Sequence, residues 1–393
     1  MRNRLRALSV RVLLPWAFVF CTALPGALRA AETDDNVIAS FEVAANGDFL
    51  LIPVKVGDEE ALFVLDTGSG VNTFDNSLKR HLVSTLAMGT RAGHRAEPLY
   101  YSPTALVGRS SLPVTGYARC QDLSLFRLVT RRKIQGILGM QFLNRCVVEI
   151  DVDSGRVALL RTSKHAQGTR FAIGIMDRCP TVAVRLPGGE ERPFWIDSGA
   201  SGYTEGNLST TTIDQFLRAR RATVSGKTGR CVTLDGIEEG LRELTVDRFS
   251  VGEFDHRRAT FDEDRDKSVD DVEGDTLGLQ YLSRFTVTFD FPLRVMYLKP
   301  GRRFDMVIPS DLTGFELTRK EPDDVLAVTN VEPAGPAQAV GIRKGDRLHE
   351  INGSKTSKMN LFEIGLMLRA APNPLRLRIG RASEQERDVI LER

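Results

Sequence analysis

The chain has 393 residues, 42% of them hydrophobic and 26% charged, the balance of a globular protein long enough for two or three domains with cores of their own. Its formal net charge of +2 points to no polyanionic partner, and no basic stripe with interleaved aromatics supports a nucleic-acid role. The histidines His81, His94, His165, His256 and His349 are scattered and offer no metal-binding or nucleophilic pattern.

At the N-terminus, Arg2, Arg4, Arg6 and Arg11 precede an apolar stretch from Val12 to Leu28, and Ala30 and Ala31 lead into the acidic Glu32-Thr33-Asp34-Asp35. This reads as a secretory signal peptide over residues 1–31. Pro15 and Pro25 interrupt a stretch already short for a membrane anchor, so no membrane span is expected in the mature chain. Phe20 stands before Cys21 where a lipoprotein would need a small residue. Export leaves Cys120, Cys146, Cys179 and Cys231, an even number that permits disulfides with all complete pairings open.

Residues 32–165 begin with a short apolar strand, Leu50 to Lys55, that turns at Gly57-Asp58 and runs into Phe63-Val64-Leu65-Asp66-Thr67-Gly68-Ser69. Further on, Gly136-Ile137-Leu138-Gly139-Met140-Gln141-Phe142-Leu143-Asn144-Arg145 is followed by alternating strand-like residues from Val147 to Leu160. Residues 166–305 repeat this plan. A strand from Thr181 to Leu186 turns at Gly188-Gly189 and runs into Phe194-Trp195-Ile196-Asp197-Ser198-Gly199-Ala200. The block Asp275-Thr276-Leu277-Gly278-Leu279-Gln280-Tyr281-Leu282-Ser283-Arg284 then precedes strand-like residues from Phe285 to Leu298. Gly, Gln, Leu and Arg of the two blocks recur in register, so one β-rich unit is present twice, its aspartates about 130 residues apart.

The second unit carries an acidic insertion from Phe261 to Gly274. Asp262, Asp264, Asp266, Asp270 and Glu273 are spaced like a calcium loop, but Lys267 stands where the sharp turn needs glycine. A solvated acidic loop is expected, with no metal.

The paired apolar-apolar-Asp-Thr/Ser-Gly segments, each with its later glycine block, resemble the aspartic proteases over roughly residues 36 to 300. Each half is closer in size to a retropepsin subunit than to a large pepsin lobe. The resemblance implies a mainly β protein in which two retropepsin-like lobes, 32–165 and 166–305, assemble one site around Asp66 and Asp197. Two adjacent carboxyls cannot both ionise cheaply, so they share a proton. One then serves as base toward a water while the other hydrogen-bonds the developing oxyanion, with no cofactor, metal or covalent intermediate required. Gly68 and Gly199 would let backbone amides approach the carboxylates. Thr67 and Ser198, by the resemblance, would cross-bond the loops beneath them. Ser69 offers a hydroxyl that Ala200 lacks, which makes Asp66 the expected anion. By position, flap tips fall near Arg91-Ala92-Gly93-His94 and Lys227-Thr228-Gly229-Arg230, with Tyr100 and Tyr101 in a strand.

Residues 306–393 resemble a bacterial-type PDZ domain. The residues that carry this are Thr313-Gly314-Phe315-Glu316-Leu317, Val328-Thr329-Asn330-Val331-Glu332-Pro333, Gly335-Pro336-Ala337, Lys344-Gly345-Asp346-Arg347-Leu348 and Ile351-Asn352-Gly353. The expected order is strand, strand, short helix, strand, longer helix and closing strand, an α+β module. Its implied ligands are C-terminal peptides added to a sheet edge. Thr313, Gly314 and Phe315 would receive the carboxylate, Leu317 would start the receiving strand, and Ile364 and Leu368 would line the groove or simply form core. The function this implies is an exported, periplasmic aspartic endopeptidase acting on peptides or proteins. The competing class is a peptide-binding protein that uses the same cleft and groove without turnover.

Overall fold

The computed structural model describes residues 35–89, 97–108, 114–234, 236–265, 274–320, 324–381 and 384–393. The expected signal peptide over 1–31 and the expected first flap tip near Arg91-Ala92-Gly93-His94 lie outside these residues. The fold is mainly β, two β lobes followed by an α+β module, and the described residues form four sheets.

One sheet belongs to both halves. Its order is Val37–Glu42, Arg156–Leu160, Val147–Asp151, Phe285–Asp290, Val295–Pro300 and Thr169–Ala172. At its centre the equivalent strands Val147–Asp151 and Phe285–Asp290 pair antiparallel, with Ile150 opposite Val287. Val148, Ile150, Val287 and Phe289 are fully buried here, so the repeated units share a continuous core.

Each half adds an eight-stranded sheet. In the first, Leu51–Val56 pairs with Glu59–Leu65 across the turn at Gly57-Asp58, where Gly57 has φ +59°, a left-handed conformation that favours glycine. Phe63 and Leu65 enter the main core, while Val64 on the opposite face joins a second apolar cluster with Leu123, Ile134 and Ile137. Burial on both faces explains the uninterrupted apolar run before Asp66. In the second half, Cys179–Arg185 and Glu191–Ile196 form the matching hairpin.

The long hairpin of the second half departs from the sequence expectation. Ala222–Thr233 pairs with Gly236–Val251 outward as far as Thr233 opposite Gly236. The stretch 227–230, expected at a tip, therefore lies within a strand, because cross-strand pairing continues past it. Beside the turn, Leu234 packs on the first lobe's Val64, Leu123, Ile134 and Ile137 cluster. The acidic stretch is also only partly a loop: Phe261–Asp264 continue the strand Phe254–Asp264, where Asp262 accepts a hydrogen bond from Thr204 at 2.8 Å and Glu263 pairs with Arg242 at 2.7 Å. Asp266, Asp270 and Glu273 lie outside the described residues. Cys120, Cys146, Cys179 and Cys231, for which the sequence leaves disulfides open, are free thiols.

The last module has its own sheet, ordered Phe315–Lys320, Val325–Val331, Arg347–Ile351, Leu375–Arg381 and Glu384–Leu391, with Ser354–Lys355 off its centre. Phe315, Val328, Leu348, Ile364, Leu368 and Leu377 are among its core residues. The helix Leu361–Ala370 starts on a capping box. Asn360 accepts from the Glu363 amide at 2.8 Å, and Glu363 accepts from the Asn360 amide at 2.9 Å.

Candidate active site

The two aspartates arrive by the same local route. Glu59–Leu65 runs parallel to Ile134–Leu138, and the Asp66 amide donates to the Leu138 carbonyl at 3.1 Å. Glu191–Ile196 runs parallel to Thr276–Leu277, and the Asp197 amide donates to the Leu277 carbonyl at 2.9 Å. The glycine blocks then hold the loops from behind: Met140 N–H donates to the Ser69 carbonyl at 2.7 Å and Leu279 N–H to the Ala200 carbonyl at 2.9 Å. A Cβ at Gly139 would stand 2.5 Å from the carbonyl oxygens of Ser69 and Val71, and one at Gly278 would stand 2.8 Å from that of Ala200. That close approach is why the block needs glycine in both units.

Thr67 and Ser198, both fully buried, lock the loops to each other. Thr67 N–H donates to Ser198 Oγ at 3.1 Å, and Ser198 N–H donates to Thr67 Oγ1 at 2.9 Å. Each hydroxyl then donates across the junction, Thr67 Oγ1 to the Ile196 carbonyl at 2.6 Å and Ser198 Oγ to the Leu65 carbonyl at 2.9 Å. Each hydroxyl accepts once and donates once.

Above this lock the Asp66 and Asp197 carboxyls are hydrogen-bonded to each other. Gly68 and Gly199 make room, since a Cβ on Gly68 would overlap the Asp197 carboxyl and one on Gly199 that of Asp66. Asp66 Oδ1 accepts from the Gly68 amide at 2.8 Å; Asp197 Oδ1 accepts from the Gly199 amide at 2.7 Å and the Ala200 amide at 3.0 Å.

Desolvation between the lobes raises both carboxyl pKa values, but not equally. Asp66 is pushed well above the ordinary carboxylate range, first by desolvation and then by the charge of Asp197 and the hydrogen bond to it. For Asp197 the hydrogen bond from Asp66 and the amides of Gly199, Ala200 and Gly68 pull against desolvation. Burial thus holds one proton on the pair above the ordinary carboxylate range, with Asp66 raised well above it. The Ser69 side chain does not serve the dyad as expected. Its hydroxyl donates to the Val71 carbonyl at 2.8 Å, and only its backbone amide serves Asp66.

Cys179 also lies against the dyad. Its thiol donates to the Gly68 carbonyl at 3.2 Å and is pushed up to about 12, first by desolvation and then by the charges of Asp197 and Asp66. It is thus an inert hydrogen-bond donor rather than a nucleophile.

In the last module Thr313 is fully buried, and its hydroxyl and amide donate to Asp311 at 2.6 and 2.9 Å. Gly314 has φ +71°, and its carbonyl accepts from the Glu332 amide at 2.8 Å. Phe315 is buried in the core and Leu317 packs at its edge. Ile364 and Leu368 are 1% and 3% exposed, core residues rather than walls of an open groove. The first lobe's helix Ser124–Thr130 packs against both Phe315–Lys320 and Leu361–Ala370, the two elements that would flank a bound peptide. Arg131, just after that helix, pairs with Asp324 at 2.8 Å and donates to the Ser357 carbonyl.

Sequence reasoning missed the residues that join this module to the lobes. Asn360 Nδ2 donates to the buried Asp48 at 2.8 Å; Tyr203 stacks on Phe362; Arg369 pairs with Glu243 at 3.3 Å. Tyr203 stands shortly after Asp197, the one signal by which it could have been found. Asp48, Asn360 and Arg369 carry no pattern that a sequence exposes.

The sequence profile of the PDZ domain family matches residues 305–380. Residues 305–380 form a PDZ domain. No curated protein matches the chain. Among solved structures, a PDZ domain protein from Parabacteroides distasonis is similar at 25% identity over 20% of this chain and 19% of that one, with a TM-score of 0.19. An aspartic proteinase from Irpex lacteus is similar at 13% identity over 68% of this chain and 98% of that one, with a TM-score of 0.43. A photosystem II D1 C-terminal processing protease is similar at 21% identity over 20% of this chain and 22% of that one, with a TM-score of 0.19. The chain spans about a fifth of the length of the first and third of these proteins. The fold follows from the strand order itself rather than from these scores.

Proposed function

We propose that the chain is an exported aspartic endopeptidase, placed in the periplasm by its N-terminal segment, that hydrolyses peptide bonds with Asp66 and Asp197. One observation carries this reading: two loops of one repeat bring their buried carboxyls into hydrogen-bond contact, where sharing one proton makes one the acid and the other the base. That division supplies a base and an acid at one point. Ionised Asp197 takes a proton from a water as it attacks the peptide carbonyl, while the Asp66 hydroxyl hydrogen-bonds the carbonyl oxygen as charge develops. As the intermediate collapses the C–N bond breaks, the proton on Asp197 passes to the leaving nitrogen, and Asp66, which keeps its proton throughout, remains the neutral partner. The amides of Gly68, Gly199 and Ala200 fix the carboxylates from beneath, so the reacting oxygens need no reorganisation. The PDZ domain takes C-terminal peptides and recruits or regulates substrate.

Digestion of a peptide library from roughly pH 3 to 8, with Asp66→Asn as control, tests the reading. Cleavage by the wild type alone supports it. Peptide binding without cleavage at any pH would favour the competing peptide-binding function.

A further inference from the structure

The helix Leu361–Ala370 does more than flank a groove. It is seated on Tyr203, in the segment that leaves the second aspartate loop. The Tyr203 ring is stacked on Phe362 with centroids 5.1 Å apart and planes 13° from parallel. The Arg369 guanidinium lies 4.5 Å over the same ring. The Tyr203 hydroxyl lies 3.1 Å from the carbonyl oxygens of both Leu361 and Phe362. Gly365 passes so close that a Cβ there would overlap the Tyr203 hydroxyl and ring. One helix thus holds a tyrosine on two sides and at its tip.

The same helix reaches the other lobe through its cap. Asn360 binds Asp48, the residue next to Gly47, whose carbonyl accepts from Ser201 Oγ at 3.4 Å in the second aspartate loop. Asp48 is 8% exposed and Asn360 6%, so the bond between them is sealed from water. Helix, first lobe and second aspartate loop form a closed circuit around Ser201 and Tyr203.

We infer that the PDZ domain is a positioning element of the dyad, with Tyr203 the positioning residue through which its helix fixes the loop of Asp197. The inference rests on the protease reading for its consequence, though not for the contact. A domain that only recruited substrate would need no buried bonds to both sides of the catalytic junction. Here the loop that must hold Asp197 against Asp66 is continued by a residue whose ring and hydroxyl are fixed by the PDZ helix.

The test is Gly365→Ala in the full-length chain. Alanine is the better helix former, so the PDZ fold is retained, but its methyl wedges against Tyr203. On a short peptide too small to engage both sites, kcat should fall roughly tenfold or more while KM changes little, because misplaced catalytic groups lose rate before binding. The pH–rate profile should shift as the dyad loosens, and amide hydrogen exchange should rise in residues 197–203. Tyr203→Phe alone, which removes only the hydroxyl that the helix carbonyls hold, should lower kcat in the same direction with the fold kept. Wild-type kcat, pH profile and exchange in Gly365→Ala would overturn the inference. If the wild-type protein cleaves nothing, the protease reading fails, and the exchange measurement alone decides whether the helix fixes the loop.

Discussion

Thr67 and Ser198 each accept on the hydroxyl the other's backbone N–H, at 2.9 Å for Ser198 to Thr67 and 3.1 Å for Thr67 to Ser198. Neither hydroxyl is exposed, and each also donates to a carbonyl beneath the opposite loop. Replacing Thr67 with Val, or Ser198 with Ala, strands two buried polar groups and should cost about 2–4 kcal/mol of stability. Thr67→Ser keeps the oxygen and should cost much less. Urea unfolding of the three variants checks the ranking; equal losses would assign the effect to packing instead.

Asp66→Asn and Asp197→Asn should each abolish peptide hydrolysis with the fold kept, since either removes half of the shared-proton pair at nearly constant volume. Rates on a cleaved library peptide, followed beside circular dichroism, check this. Near-wild-type turnover in either variant would remove that residue from the mechanism.

The raised pKa of Asp66 also fixes how stability depends on pH. In the unfolded chain this carboxyl titrates near its ordinary value of 3.8, whereas the native dyad holds its proton well above that. Its contribution is full below the ordinary value and is lost as pH rises through the raised native one. Asp66→Asn, neutral throughout, should therefore have the higher Tm at pH above the raised native value and a flatter profile. A Tm profile parallel to the wild type across that range would contradict a proton held by the dyad.

Ser69→Ala should leave the acidic limb of the pH–rate profile where it is. The hydroxyl is bonded to the Val71 carbonyl, and the amide that serves Asp66 survives the substitution. Stability should drop by about 1 kcal/mol for the lost hydrogen bond. A limb displaced toward higher pH would show that the hydroxyl turns to the carboxylate in solution.

Arg369 and Glu243 are 12% and 6% exposed in their side chains, a nearly buried ion pair between the PDZ helix and the second lobe. Arg369→Leu leaves Glu243 without that partner and should cost about 3 kcal/mol or more. The double variant with Glu243→Leu should regain most of it, because the uncompensated charge is gone. A double-mutant cycle by urea unfolding measures the coupling, and additive losses would show that the pair contributes no coupling.

Much of this was legible from residue order. The two apolar runs ending in Asp66 and Asp197, the register of the glycine blocks and the turns at Gly57-Asp58 and Gly188-Gly189 all reflect local chemistry: strand burial, tight turns and close backbone approach. The PDZ strands and helices follow from the same short-range patterns. What sequence could not decide depends on partners distant along the chain. Arg145 and Arg284 occupy matching positions, yet Arg145 is exposed while Arg284 is buried against Glu205 and the Phe304 carbonyl. Ser69 looked like a carboxylate donor because its type allows it, but the loop turned its hydroxyl to Val71. Where the second hairpin ends and that Asn360 meets Asp48 were settled only by packing. Each of these contacts joins residues whose nearness no local period encodes, and their energies exist only once the lobes and the PDZ helix have come together.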